Sequence, residues 1–124
     1  MRAALESIAY QTRDLVDAME ADARRSLTSV RVDGGASTNG FLLQFQSDIL
    51  GMPLVRPRCT ETTALGAAFA AGLSAGVWKG RKELAEIWQS ETIFEPAMEE
   101  SSRAALMEGW KAAVAAARQF GRRA

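Results

Sequence analysis

The chain of 124 residues contains no histidine. Without imidazole there is no Ser-His triad and no His-based general acid or base, and most zinc sites are out of reach. Cysteine is almost absent too. Cys59 alone forbids an internal disulfide and fits a reducing compartment. A reactive thiol needs a neighbouring base or a helix N-terminus, and nothing in the sequence marks Cys59 so; it reads as buried or incidental. Net charge is missing as well: fifteen basic and fifteen acidic residues cancel, which removes any global pull towards nucleic acid. The short basic end, Arg118, Arg122 and Arg123, reads as a solvated or frayed terminus. No membrane span is expected, because the longest weakly polar stretch, residues 64–78, falls short of the roughly 20 apolar residues required. No signal-peptide pattern opens the chain, so the cytoplasm is the expected location.

What is present is a globular composition, 48% hydrophobic and 24% charged, enough for one domain with a modest core. The most informative run is VRVDGGASTN, residues 30–39. A short apolar strand ends in Asp33, two glycines follow, then small polar residues, then a new amphipathic segment. That order builds a strand, a tight turn whose backbone can approach a ligand, and a helix N-terminus whose free N–H groups and dipole favour an anion. The loop has no Lys, which argues against a Walker-type phosphate loop. A bare strand-to-helix turn explains the glycines equally well, and Asn39, Ser37 or Thr38 can each serve as a helix cap.

Along the chain, residues 1–25 read as a long helix with an apolar stripe of Leu5, Ile8, Thr12, Leu15 and Met19. It has no clear start signal, so the chain is expected to begin inside a larger structure. Residues 27–33 read as a strand. Residues 39–50 read as a helix with Phe41, Leu42, Phe45 and Ile49 on one side, Gln44, Gln46, Ser47 and Asp48 largely on the other, and Gly51 as its stop. Residues 52–55 form a second strand, giving a parallel βαβ unit. Thr60 is expected to cap a helix over 61–76, with Glu61 in its first turn and a small-residue face of Ala64, Ala67, Ala68, Ala71 and Ala75. The run from Thr60 through Glu61 and Thr62 to Thr63 reads as capping rather than as a metal or phosphate site. A short helix over 81–88, a connector over 90–96 and a last helix over 98–120 complete the chain. That last helix points Leu106, Met107, Trp110, Ala113, Val114 and Ala117 inward. Trp78, Trp88 and Trp110 read as packing residues. Two short parallel strands cannot make a self-sufficient sheet, so further strands are expected outside the chain.

The string DGGASTNGFLLQFQSDILGMPLVRP, followed by TETTALGAAFAAGLSAGVW, resembles the C-terminal part of the bacterial glycerol kinases, within the sugar-kinase family that shares the actin/hexokinase-like ATPase fold. RAALESIAYQTRDLVDAM is similar to the helix before that motif, and FEPAMEESSRAALMEGWKAAV to the closing Phe-x-Pro segment and last helix. The resemblance implies an α/β fold: part of an actin-like (ribonuclease H-like) lobe with short parallel strands packed by several helices. Residues 1–124 would be the C-terminal part of the second, nucleotide-binding lobe, with the N-terminal lobe absent. It implies that Gly35 lies against the nucleotide, that Asn39 hydrogen-bonds to it, that Gly34 makes the turn and that Asp33 orients the loop. ATP and ADP are the implied ligands, with Mg²⁺ in the complete enzyme and glycerol bound by the missing part. No catalytic or metal-binding residue is implied here, neither Asp33 nor Asp48 being the base, and the chain alone is expected to be inactive. Two alternatives stand: another kinase of the family acting on a pentulose, and a non-catalytic truncated piece whose uncovered surface drives homo-oligomer formation.

Overall fold

Helix α2 (Gly40–Leu50) is the element around which the chain is organised, because both ends and most of its surface are engaged. Its N-terminus is capped by Asn39, whose Oδ1 accepts from the Leu42 N–H at 3.1 Å, a contact worth about 1 kcal/mol. Its C-terminus stops at Gly51, which adopts φ 67° and returns its N–H to the Ser47 carbonyl at 2.8 Å. The described residues, in a computed structural model, are 2–87 and 90–121. Met1, Trp88, Gln89, Arg122, Arg123 and Ala124 lie outside them, and with them the expectations for Trp88 and for the last two arginines.

Helix α1 (Arg2–Ala23) precedes α2, and strand β1 (Val30–Arg31) leads into a 3₁₀ turn, Gly35–Thr38, before it. After α2 come β2 (Leu54–Pro57), α3 (Thr62–Ser74), α4 (Arg81–Ile87), β3 (Ser90–Phe94) and α5 (Glu100–Gly121). The sheet has the order β1-β2-β3. Strands β1 and β2 are parallel, with Val30 opposite Leu54, so the βαβ expectation holds. Strand β3 is a correction: the expected connector over 90–96 instead pairs antiparallel with β2, setting Val55 opposite Ile93 and Arg56 opposite Thr92. The first strand is shorter than expected, in part because the Leu27 N–H is taken by the Glu20 carboxylate at 2.6 Å rather than by the sheet.

The core is two clusters, both built on α1 and α2. Ala9, Phe45, Ile49 and Met107 join α1, α2 and α5; Val16, Leu43, Leu50 and Leu54 join α1 and α2 to the sheet. The expected α1 stripe is therefore displaced. Ala9 and Val16 are buried, while Ile8, Leu15 and Met19 are 43%, 60% and 52% exposed. Ala9 and Val16 take the face that packs on α2, which leaves Ile8, Leu15 and Met19 facing outward. In α5 only Met107 is buried, with Trp110 and Val114 partly covered; Leu106, Ala113 and Ala117 are exposed.

The polar side of α2 is engaged rather than solvated. Ser47 is fully buried, its hydroxyl 3.0 Å from the Met52 carbonyl and 2.8 Å from that of Phe94. Gln44 donates to the Glu95 carbonyl at 2.8 Å, and Asp48 accepts from the Ala97 and Met98 N–H groups at 2.7 and 3.2 Å. These residues dock the segment that links β3 to α5. Helix α3 buries only Gly72, against which the Trp78 ring is seated; its alanine face is exposed. Cys59 is exposed and free. Among the described residues no helix is long and apolar enough to cross a membrane.

Candidate nucleotide-binding corner

The corner between β1 and α2 is built by backbone geometry first. Gly34 takes φ 78° and ψ 176°, a conformation essentially confined to glycine, so the reversal there requires the missing Cβ. Its N–H donates to the Thr60 carbonyl at 2.9 Å, tying the turn to the start of α3. Gly35 is different. Its φ is not positive, it is exposed, and an added Cβ would meet no atom within 4 Å. Backbone strain therefore does not account for a glycine at 35; what the position offers is open space beside an exposed backbone.

The turn is held from within by its hydroxyls. Ser37, almost fully buried, donates to the Gly34 carbonyl at 2.6 Å, and Thr38 donates to that of Gly35 at 2.7 Å. Asn39 is half-buried, and its cap to Leu42 uses the carbonyl arm of the amide, leaving the NH₂ arm as the remaining donor. Asp33 is exposed and accepts a hydrogen bond from the Thr62 hydroxyl, which joins the end of β1 to the first residue of α3.

The expected capping run is thus partly corrected. Helix α3 starts at Thr62, with Glu61 as its N-cap rather than in its first turn and with no side-chain cap. Thr60 contributes its carbonyl, and Thr62 holds Asp33. A cleft of about 170 Å³ lies beside the corner, lined by Arg31, Val32, Asp33, Pro57 and Thr62. Small-molecule pockets usually enclose about 300–1,000 Å³, so this cleft offers one wall rather than an enclosure. Among the described residues no group of three or more Cys, Asp or Glu side chains is placed to hold a metal ion.

The structure brings Gly34, Gly35, Asn39 and Asp33 to one corner and adds to them Arg56, which donates to the Ser37 carbonyl from β2 and which sequence reasoning did not single out. No local pattern could have found it, because the contact depends on strand pairing.

The sequence pattern of the C-terminal domain of the FGGY family of carbohydrate kinases matches residues 1–75. The chain belongs to that family. It is 57% identical over 120 residues to a glycerol kinase of Geobacillus kaustophilus, covering 97% of this chain and 24% of that protein. It is 55% identical over 120 residues to one of Bacillus subtilis, with the same coverage. Among solved structures, a Plasmodium falciparum glycerol kinase with ADP superposes with a TM-score of 0.80 at 33% identity, covering 91% of this chain and 23% of that one. A ligand-bound xylulose kinase from Lactobacillus acidophilus, at 21% identity and a TM-score of 0.69, shares the fold, the match covering 99% of this chain and 25% of that one. The family member described here spans about a quarter of the length of the relatives it matches. Its match lies in their C-terminal portion, as the resemblance implied, and the α/β expectation of a partial actin-like lobe holds.

Proposed function

We propose that residues 1–124 form the C-terminal part of the nucleotide-binding lobe of a glycerol kinase, which transfers the γ-phosphoryl group of ATP to glycerol and yields glycerol 3-phosphate. The observation that carries this reading is the open corner at Gly34 and Gly35, where nothing within 4 Å occupies the place of either Cβ. The 55–58% identity to glycerol kinases supports glycerol over a pentulose, since the xylulose kinase likeness is only one of fold.

In this reading the backbone at Gly35 lies against the nucleotide, and the free arm of Asn39 donates a hydrogen bond to it. Gly34 sets the reversal, and Asp33 fixes its angle through Thr62. Bound Mg·ATP supplies the transferable phosphoryl group, and such a transfer is largely a matter of positioning and charge stabilisation. Among the described residues no cluster of acidic side chains is placed to hold a metal, and in this reading Mg²⁺ would be held by the phosphates and by polypeptide outside the chain. That polypeptide also supplies the glycerol site and the catalytic aspartate, and closure of the two lobes excludes water.

The test replaces the C-terminal quarter of the Bacillus subtilis glycerol kinase with this chain. ATP-dependent formation of glycerol 3-phosphate is expected from the hybrid and none from the chain alone. A soluble, folded hybrid without activity would count against the assignment.

A further inference from the structure

Arg56 lies in the middle of β2 and is half-buried. Its guanidinium spans two elements: Nη1 donates to the Ser37 carbonyl at 3.2 Å, and Nη2 donates to the Thr92 hydroxyl of β3 at 3.1 Å. Its Cζ stands 5.6 Å from the centre of the Phe94 ring, so the cation is braced from the sheet side as well. Ser37 in turn donates to the Gly34 carbonyl at 2.6 Å. A continuous line of contacts therefore runs from β3 through Arg56 to the glycine corner.

We propose that Arg56 is a positioning residue for nucleotide binding: it pins the Ser37 carbonyl to the sheet and so holds Gly35 and Asn39 at their working place without touching the ligand. This rests on the reading of Gly35 and Asn39 as nucleotide contacts. The planar guanidinium suits the task because its fixed fork reaches two acceptors in different elements at once, which a single ammonium does not. With the pin removed, the turn must be ordered at the moment the nucleotide binds, and that ordering is drawn from binding affinity. Glycerol, bound by other parts of the enzyme, is unaffected.

The experiment uses the full-length kinase carrying this chain, either its own parent or the hybrid above, with Gly35→Val, Arg56→Met and Arg56→Lys compared. Arg56→Met is expected to raise the ATP KM about tenfold, with the glycerol KM and the saturated kcat within about twofold of the unaltered enzyme. Arg56→Lys is expected to recover part of the loss, since the ammonium still reaches the Ser37 carbonyl. An unaltered ATP KM in Arg56→Met, beside a raised one in Gly35→Val, overturns the role of Arg56 and leaves the site reading intact. An unaltered ATP KM in Gly35→Val removes the site reading and this inference with it. If both KM values, kcat and the melting temperature all worsen together, Arg56 is structural only and the inference fails. Should Arg56→Met not fold, Arg56→Lys decides: a rise confined to the ATP KM supports the inference, and no rise overturns it.

Discussion

The indole N–H of Trp110 donates to the carboxylate of Asp14 at 2.7 Å, fastening α5 to α1 across most of the chain. Between them Tyr10 stacks on the Trp110 ring at 5.4 Å and meets Phe45 edge-on at 5.6 Å. Trp110→Phe keeps an aromatic ring over Tyr10 and deletes the donor. The expected loss is about 1 kcal/mol, modest because Asp14 is exposed and water replaces the bond. Urea unfolding of both proteins measures it.

The same cluster gives a pH dependence. Burial holds the Tyr10 phenol above its ordinary value of about 10, with the Glu6 charge adding to this and Arg2 opposing it. A group whose folded pKa is raised contributes stability that is complete below its unfolded value and is lost as pH rises through its folded one. The chain should therefore loosen on the alkaline side, above about pH 10, as tyrosinate forms. Tyr10 is the only tyrosine, so tyrosinate absorbance reports this site alone. Tyr10→Phe should flatten the alkaline loss seen by circular dichroism.

The displaced stripe of α1 predicts an asymmetry between two apolar residues. Ile49 is fully buried where α1, α2 and α5 meet, so Ile49→Ala should cost about 2–5 kcal/mol. Leu15, 60% exposed, should tolerate Leu15→Ser within about 0.5 kcal/mol in this chain. Thermal unfolding of the two variants distinguishes this packing from one in which Leu15 points inward.

What could be read in advance was local chemistry. The cap at Asn39, the stop at Gly51 and the glycine reversal at 34 each follow from a residue acting on its own neighbours, and all three are found. What could not be read depends on distant partners. Strand β3 exists because β2 offers an edge, not because Ser90–Phe94 alternates clearly. The partners of Gln44, Ser47 and Asp48 were not legible, because nothing in their own helix shows that the 94–98 segment carries the matching carbonyls and N–H groups. Arg56 was missed for the same reason, since Ser37 and Thr92 meet it only through the sheet.

The two glycines of the corner should separate cleanly in stability. Gly34→Ala forces a Cβ into a positive-φ conformation, at a cost of about 1–3 kcal/mol. Gly35→Ala meets neither strain nor a neighbour and should stay within about 0.5 kcal/mol. Denaturant midpoints of the two variants check this directly.

The central claim is that the space beside Gly35 is reserved for a nucleotide. The most direct measurement is the ATP KM of Gly35→Val in the full-length enzyme, taken together with its melting temperature. A rise of about tenfold or more at an unchanged melting temperature is the predicted result. An ATP KM equal to that of the unaltered enzyme would contradict it.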